Sequence, residues 1–311
     1  YGTVTGVQTC ALPISLTQQE ITALYQATAQ TPTCTIPANV PSNGLVGYWP
    51  FCGNANDESG NGNNGSPNGT ILQPDRFGTP NSAYEFNGTS SKIDLYNNNI
   101  PIGNTARSIS VWFKMDVPPT NIYASIFRLG NNTTGQRFGL GYDGSNELHV
   151  EFVLSYVAIP FTPDNQWHHF VVTYPTNGNG SSSILIYMDG VLQTGYNISN
   201  PISSLNTSAN PSNGLVYCFG YLYGLSGYYW DGLLDDIGIW NRALTQQEIT
   251  ALYNSCVATI IQQPVDQQAV LNSTASFSVS SSDPNAAYQW QVNQGLGWLN
   301  IFNAEIGRAH V

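Results

Sequence analysis

Between residues 45 and 240 the chain alternates apolar and polar side chains in short runs, broken by Gly, Asn, Pro or Ser. A period of two sends successive side chains to opposite faces of a pleated strand, so each run predicts a strand with one face on a core. The clearest runs are residues 45–51, 83–86, 92–96, 108–114, 122–129, 138–142, 147–154, 167–174, 184–188, 191–196, 216–223 and 230–240. Asp189-Gly190, between two of them, is a type I′ hairpin signal, a turn whose two central residues both need positive φ. Strands at this spacing with almost no helical pattern predict an all-β fold, an antiparallel jelly-roll sandwich over residues 43–256. A domain of that size buries an ample core without help from a cofactor.

One helical pattern stands out because it occurs twice. Leu-Thr-Gln-Gln-Glu-Ile-Thr-Ala-Leu-Tyr fills residues 16–25 and again residues 244–253, an offset of 228 positions. Thr17 and Thr245 stand as N-caps, Glu20 and Glu248 three residues later complete capping boxes, and Ile, Leu and Tyr share one face. A repeat of domain size predicts a tandem array, with 16–25 the last helix of a preceding copy and 26–42 a linker. Beyond residue 256 the pattern changes. Short runs at 260–264, 275–279 and 288–290 end on a Trp placed as in the third strand of an immunoglobulin-like sandwich, so 257–304 predicts a partial immunoglobulin-like domain.

The two extremities look foreign to this pattern. Glu305-Ile-Gly-Arg-Ala-His-Val311 can be encoded by a DNA string whose reverse complement, shifted by one base, encodes Thr9-Cys-Ala-Leu-Pro-Ile-Ser15. That string resembles a sequencing-library adapter. Residues 1–15 and 305–311 are therefore read as adapter-derived and set aside from fold reasoning.

Composition narrows the function classes. Only 9% of the 311 residues are charged, and 8 Lys+Arg against 19 Asp+Glu give a net charge of −11. Nucleic-acid binding needs a basic stripe to replace phosphate counterions, which this balance opposes. No apolar run approaches the ~18 residues of a membrane span. With Cys10 set aside, Cys34, Cys52, Cys218 and Cys256 remain, and four cysteines allow three pairings. No Cys-x-x-Cys spacing points to metal or redox chemistry. A Lys-poor, turn-rich, acidic chain favours an oxidising, extracellular setting with structural disulfides, Cys34 and Cys256 flanking the domain.

Several segments together carry a family resemblance. Gly44-Leu-Val-Gly-Tyr-Trp-Pro-Phe51, Asn54 through Gly65, Tyr84-Glu-Phe-Asn-Gly88, Ile109-Ser-Val-Trp-Phe113, Trp167-His-His169, Tyr187-Met-Asp-Gly190 and Leu234-Asp-Asp-Ile-Gly-Ile-Trp240 follow one another in order. As a set they resemble the laminin-G-like jelly rolls, which share the concanavalin A-like lectin/glucanase fold. The resemblance implies a secreted or surface-displayed recognition domain of a multidomain bacterial protein.

Three clusters are candidates for chemistry. The loop from Asp57 to Gly65 gathers carboxylate, amide and backbone oxygens on a Gly-permitted turn, the donor set calcium prefers. In the resembling family this loop lies beside the Leu234-Asp-Asp strand and a bound calcium is common there. The expected ligands are Asp57, Asn61, Asn64 and Asp235, with Asp235 placed by period two on the face of Ile237 and Ile239. The competing reading is a turn cluster in which the Asp carboxylate accepts backbone N–H groups. The second cluster is aromatic: Tyr217, Phe219, Tyr221 and Tyr223 alternate, and Tyr228, Tyr229 and Trp230 follow a turn. Most of these read as core, whereas Tyr223, Tyr228 and Tyr229, nearest the turn, are candidates for stacking on sugar rings. In the third, His168 and His169 point to opposite faces of a strand and cannot chelate one ion.

Glycoside hydrolysis needs two positioned carboxylates. Glu147 and Glu151 share a strand face, but the Glu-x-Asp-x-x-Glu run of this fold's hydrolases is missing. The sequence therefore points first to a non-catalytic module that binds a polysaccharide or surface glycoprotein, supported by calcium and by neighbouring domains of the same chain. A structural or adhesive spacer in a tandem array stands second, and a glycoside hydrolase third.

Overall fold

A computed structural model describes residues 34–96, 100–115, 123–208, 217–222 and 227–254, with short pieces at 260–262, 278, 280–281, 291–293 and 298–300. The first copy of the repeated helix, Tyr223 and Cys256 lie outside the described residues. In chain order the strands of the main domain are β1 (Leu45–Trp49), β2 (Gly65–Asn68), β3 (Ile71–Gln73), β4 (Ala83–Asn87), β5 (Lys92–Leu95), β6 (Arg107–Lys114), β7 (Tyr123–Gly130) and β8 (Arg137–Asp143). There follow β9 (Glu147–Glu151), β10 (Tyr156–Pro160), β11 (Trp167–Tyr174), β12 (Leu185–Met188), β13 (Val191–Leu192), β14 (Asn197–Ser199), β15 (Tyr217–Phe219), β16 (Asp231–Trp240) and helix α1 (Gln246–Asn254).

The strands form two eight-stranded antiparallel sheets. The first runs β13-β12-β11-β6-β16-β4-β3, with β1 also paired to β16, and the second runs β14-β10-β9-β8-β7-β15-β5-β2. Every run read from the alternation carries a strand. The strands not foreseen are β2, β3, β10 and β14; Gly-Ser-Pro-Asn of β2 has no apolar residue to bury, and β2, β3 and β14 sit at sheet edges, where Pro and polar residues are tolerated. Asp189 and Gly190 adopt φ of 51° and 77° between β12 and β13, with Met188 paired to Val191, as the hairpin signal predicts. Between the sheets the inward faces meet in one apolar core that includes Trp49, Phe113 and Ile239 from the first and Phe127, Leu140 and Phe219 from the second.

A second cluster lies on the outer face of the first sheet. Tyr48, Val171, Tyr187 and Trp240 are covered there by Ile249 and Leu252 of α1 and by Val40. A helix of nine residues is marginal alone, so its stability comes from this docking and from its ends. The predicted capping box forms: Thr245 N donates to Glu248 Oε2 (2.9 Å), and Glu248 N to Thr245 Oγ1 (3.3 Å). Tyr253 stacks on Trp112 at 5.8 Å and 11°, and Gln246 Nε2 holds Gly190 O of the hairpin at 2.7 Å.

Residues 34–42, read as linker, belong to the domain. Val40 is buried, Trp240 Nε1 donates to Pro41 O at 2.7 Å, and a Cys34–Cys52 disulfide with Cα atoms 6.0 Å apart ties this segment to the end of β1. This pairing joins two of the four cysteines expected to form structural disulfides. Cys218, also a disulfide candidate, is a buried thiol that donates to Tyr221 O at 2.8 Å. The region expected to be immunoglobulin-like is described only as two antiparallel pairs, Ile260–Gln262 with Ser280–Ser281 and Gln291–Asn293 with Trp298–Asn300.

Candidate functional site

The loop expected to hold calcium is tied together by its own hydrogen bonds. Asp57 is buried, and its carboxylate accepts three backbone N–H groups: Tyr48 and Ser59 at Oδ1 and Asn63 at Oδ2, each at 2.9 Å. Asn64 turns its Oδ1 to Asp57 N (2.9 Å), and Asn61 donates its amide to Leu45 O and Val46 O (3.1 Å each). These bonds direct both lone pairs of Asp57 Oδ1, one of Oδ2 and Asn64 Oδ1 at N–H donors, the arrangement of a turn cluster.

Asp235 is buried as expected, but on the opposite face. Between Asp235 and Gly238 the chain takes three steps while its partner β6 takes two, from Trp112 to Ser110, and Asp236 in this bulge has φ of 44°. The bulge resets the alternation, so Leu234 and Ile237 both enter the inter-sheet core and Asp235 faces outward toward Trp112. Its partner is a cation from the chain itself: Arg76 Nη1 lies 2.9 Å from Asp235 Oδ2, and Nη2 lies 2.6 Å from Asp236 Oδ2. The expected set of Asp57, Asn61, Asn64 and Asp235 is thus resolved into two separate structural clusters.

The two histidines separate as the strand period requires. His169 is buried beneath α1, its Nε2 2.7 Å from Ser110 Oγ, and burial with the nearby Arg76 lowers its pKa to about 3. His168 meets Asp189 through Nδ1 (2.8 Å) and Asp164 through Nε2 (3.1 Å), and the bond to Asp189 raises its pKa.

With the centre of the first sheet's outer face covered, the outer face of the second carries the distinctive chemistry. Period two puts Arg137, Gly139, Gly141 and Asp143 of β8 on that face, beside Glu147, His149 and Glu151 of β9. From β7 come Tyr123, Ser125 and, past the bulge between Ser125 and Phe127, Arg128, and from β10 Tyr156. The glycines form the floor. A Cβ on Gly141 would lie 2.5 Å from the Tyr123 ring and one on Gly139 3.0 Å from Glu151, so these neighbouring side chains lean across β8.

Charge is arranged along this face. Arg137 Nη1 binds Glu151 Oε1 at 2.7 Å, Arg128 Nη2 binds Asn132 Oδ1 at 2.9 Å, and Arg137 Nη2 reaches the same Asn132 oxygen. Burial and then the neighbouring Arg137 draw the Arg128 guanidinium down to about 10. Lys92, held by Asp94 at 2.7 Å, stands further along on β5. At the other end the imidazole of His149 stacks on Tyr156 at 4.3 Å and 11°, beside Asp143 and Glu147. Burial pushes the Tyr123 phenol well above its ordinary pKa, so it remains a hydrogen-bond donor.

The aromatic hairpin adjoins the same face. Tyr217 and Phe219 are core, as read from the sequence, and at Gly220 the strand turns. Tyr221 then pairs with Tyr229, the two rings stacked at 4.3 Å, and Tyr228 lies 6.2 Å from Tyr123. Tyr228 and Tyr229 are half-buried beside the polar face. Sequence reasoning found these two tyrosines and the Glu147/Glu151 face but not Arg128, Arg137, Tyr123, His149 or Tyr156. The available signal was charge economy: of 8 Lys+Arg in the chain, Lys92, Arg128 and Arg137 gather on one sheet face.

A laminin-G-type family model, described as the concanavalin A-like lectin/glucanases superfamily, matches residues 87–250. The chain belongs to that superfamily. Among solved structures it is similar to domain 4 of an extracellular arabinanase from Geobacillus stearothermophilus, solved with arabinotriose, at 20% identity over 67% of this chain and 98% of that one, TM-score 0.51. The binding domain of Paraclostridial mosquitocidal protein 1 is similar at 15% identity, 85% and 69% coverage, TM-score 0.52. The ligand-binding domain of botulinum neurotoxin serotype D, solved with N-acetylneuraminic acid, is similar at 14% identity, 71% and 53% coverage, TM-score 0.51. At these identities the likeness is one of fold. No curated protein matches the chain.

Proposed function

We propose that the domain is a non-catalytic, extracellular carbohydrate-binding module whose ligand lies on the outer face of the second sheet. The observation that carries this is the contrast between the two outer faces. The centre of one is covered by α1 and Val40, while the other assembles aromatic rings, two arginines and three acidic side chains around a glycine floor. Aromatic faces bind the apolar sides of sugar rings and charged groups hold their hydroxyls or carboxylates. Carbohydrate ligands in structures of similar fold, arabinotriose and N-acetylneuraminic acid, support this reading.

Several features favour binding over hydrolysis. The Glu-x-His-x-Glu face lacks the middle Asp, and the Glu151 carboxylate is engaged by the Arg137 guanidinium at 2.7 Å. Few exposed charges and the Cys34–Cys52 disulfide suit an oxidising exterior. The fitting partner is a polysaccharide or a surface glycoprotein.

Affinity electrophoresis against arabinan, other plant polysaccharides and sialylated glycoprotein tests the proposal. Retention by the native chain, lost in Tyr156→Ala and Tyr228→Ala without a collapse in Tm, is the expected result. Silence across all ligands would favour the spacer reading, for which the repeat at 16–25 and 244–253 is the motivating observation. Release of reducing sugar from any of them would establish catalysis instead.

A further inference from the structure

We infer that Asp143, Glu147 and His149 form a site for one divalent transition ion of the zinc class at the acidic end of this face. The hairpin between β8 and β9 sets Asp143 beside Glu147, and period two brings His149 to the same side. Each carboxylate has one oxygen engaged. Asp143 Oδ1 accepts the N–H groups of Ser145 (2.9 Å) and Glu147 (3.0 Å), and Glu147 Oε1 accepts the amide of Asn197. The other two oxygens, Asp143 Oδ2 and Glu147 Oε2, lie 3.2 and 3.4 Å from His149 Nε2.

The imidazole supplies an independent observation. Its side chain is only 7% exposed, it is clamped against Tyr156, and its buried Nε2 makes no hydrogen bond. Both oxygens are within hydrogen-bond distance, so each must lie off the N–H direction. Ligands of a common ion have this relationship, because each points at the metal rather than at the others. Bonds of ~2.0–2.1 Å around a tetrahedral ion place ligand atoms about 3.3 Å apart, which the two separations match.

The donor set selects the metal. Calcium takes oxygen ligands alone, whereas one imidazole nitrogen with two carboxylate oxygens suits zinc and its neighbours. Three protein ligands leave a coordination position for water. If the carbohydrate reading above holds, a sugar hydroxyl is the natural competitor for that position, but ion binding does not depend on it.

The test is titration of the full chain with cobalt(II), read by visible absorption, followed by displacement with zinc and by Tm in zinc or chelator. The expected result is a one-to-one cobalt complex with intense d–d bands, displaced by zinc, and a Tm raised by zinc. His149→Gln and Asp143→Asn should each weaken zinc by roughly 100-fold or more, taking removal of a direct ligand to cost at least as much as the loss of an outer-shell partner. His168→Gln, which removes the other histidine flanked by two carboxylates, should leave zinc affinity unchanged. Absence of cobalt bands with an unmoved Tm would overturn the site, as would full zinc affinity in folded His149→Gln. Glycan retention that persists in chelator leaves the ion site standing and separates it from sugar binding. Ion binding without any glycan retention sinks only the carbohydrate reading.

Discussion

Arg76 and Asp235 are 159 residues apart in sequence and 2.9 Å apart in the fold, with side chains only 6% and 3% exposed. The Arg76 guanidinium also reaches Asp236 and lies 4.5 Å over the Trp112 ring. Burial, then repulsion from Asp236, pushes the Asp235 carboxyl well above the usual range, and Arg76 opposes that rise. Removing the cation therefore leaves two carboxylates facing each other out of water. Arg76→Met should cost about 3–5 kcal/mol at pH 7, the range for breaking a buried pair. A carboxyl whose folded pKa is raised contributes stability below its unfolded pKa and loses it as pH rises through the folded value. The deficit of Arg76→Met should therefore shrink as pH falls toward 4, and Asp235→Asn in the same chain should recover part of it. Urea denaturation at both pH values measures this; an equal deficit at each would contradict it.

The Asp57 carboxylate ties its own loop together. It gathers the N–H groups of Tyr48, Ser59 and Asn63, fixing the turn against β1. Asp57→Ala strands buried donors, each worth about 1–3 kcal/mol, so a total loss of about 3 kcal/mol is expected. Native Tm should be the same in millimolar calcium and in chelator. A calcium-dependent rise present in the native chain and lost in Asp57→Ala would instead restore an ion to this loop.

Much of the fold was legible in the chain because alternation is a local property. The strands, the Asp189-Gly190 hairpin and the Thr245/Glu248 box each depend on residues a few positions apart. What stayed hidden depends on pairing at long range. The bulge at Asp236 flips the face of Asp235 relative to Ile237, and no period within 231–240 reveals it, because the extra residue is defined only against β6. The same holds for Arg76, whose partner is unknown until β16 is in place. The site divides in the same way: Glu147, His149 and Glu151 on one strand could be read together, whereas their meeting with Arg137, Tyr123 and Tyr156 requires the order β10-β9-β8-β7.

The capping box offers a test of local stability. Thr245 and Glu248 satisfy each other's backbone N–H groups, and Arg242 holds Glu248 through two bonds of 2.8 and 2.6 Å, which lower the Glu248 pKa to about 2. Thr245→Ala should cost about 1 kcal/mol, the usual worth of an N-cap. Hydrogen exchange should show faster opening of α1 with the strand amides between the sheets unaffected. Uniform loss of protection throughout the domain would mean that the helix does not open separately.

His169 makes the stability of the covered face depend on acid. Its imidazole lies under α1, 4.9 Å from Trp112, and stays neutral until about pH 3 because burial and Arg76 disfavour the cation. In the unfolded chain the ordinary value is about 6.5, so between these two pH values the unfolded state binds a proton that the folded state refuses. Stability must then fall as pH drops through this window, by up to about 1.4 kcal/mol per pH unit from this group. His169→Gln keeps a polar side chain near Ser110 Oγ but removes the titration. The variant is expected to be less stable at pH 7 yet to lose less on acidification, so the two curves of unfolding free energy against pH should converge toward pH 4. Parallel curves would mean that carboxylates alone drive acid unfolding and that His169 contributes nothing to it.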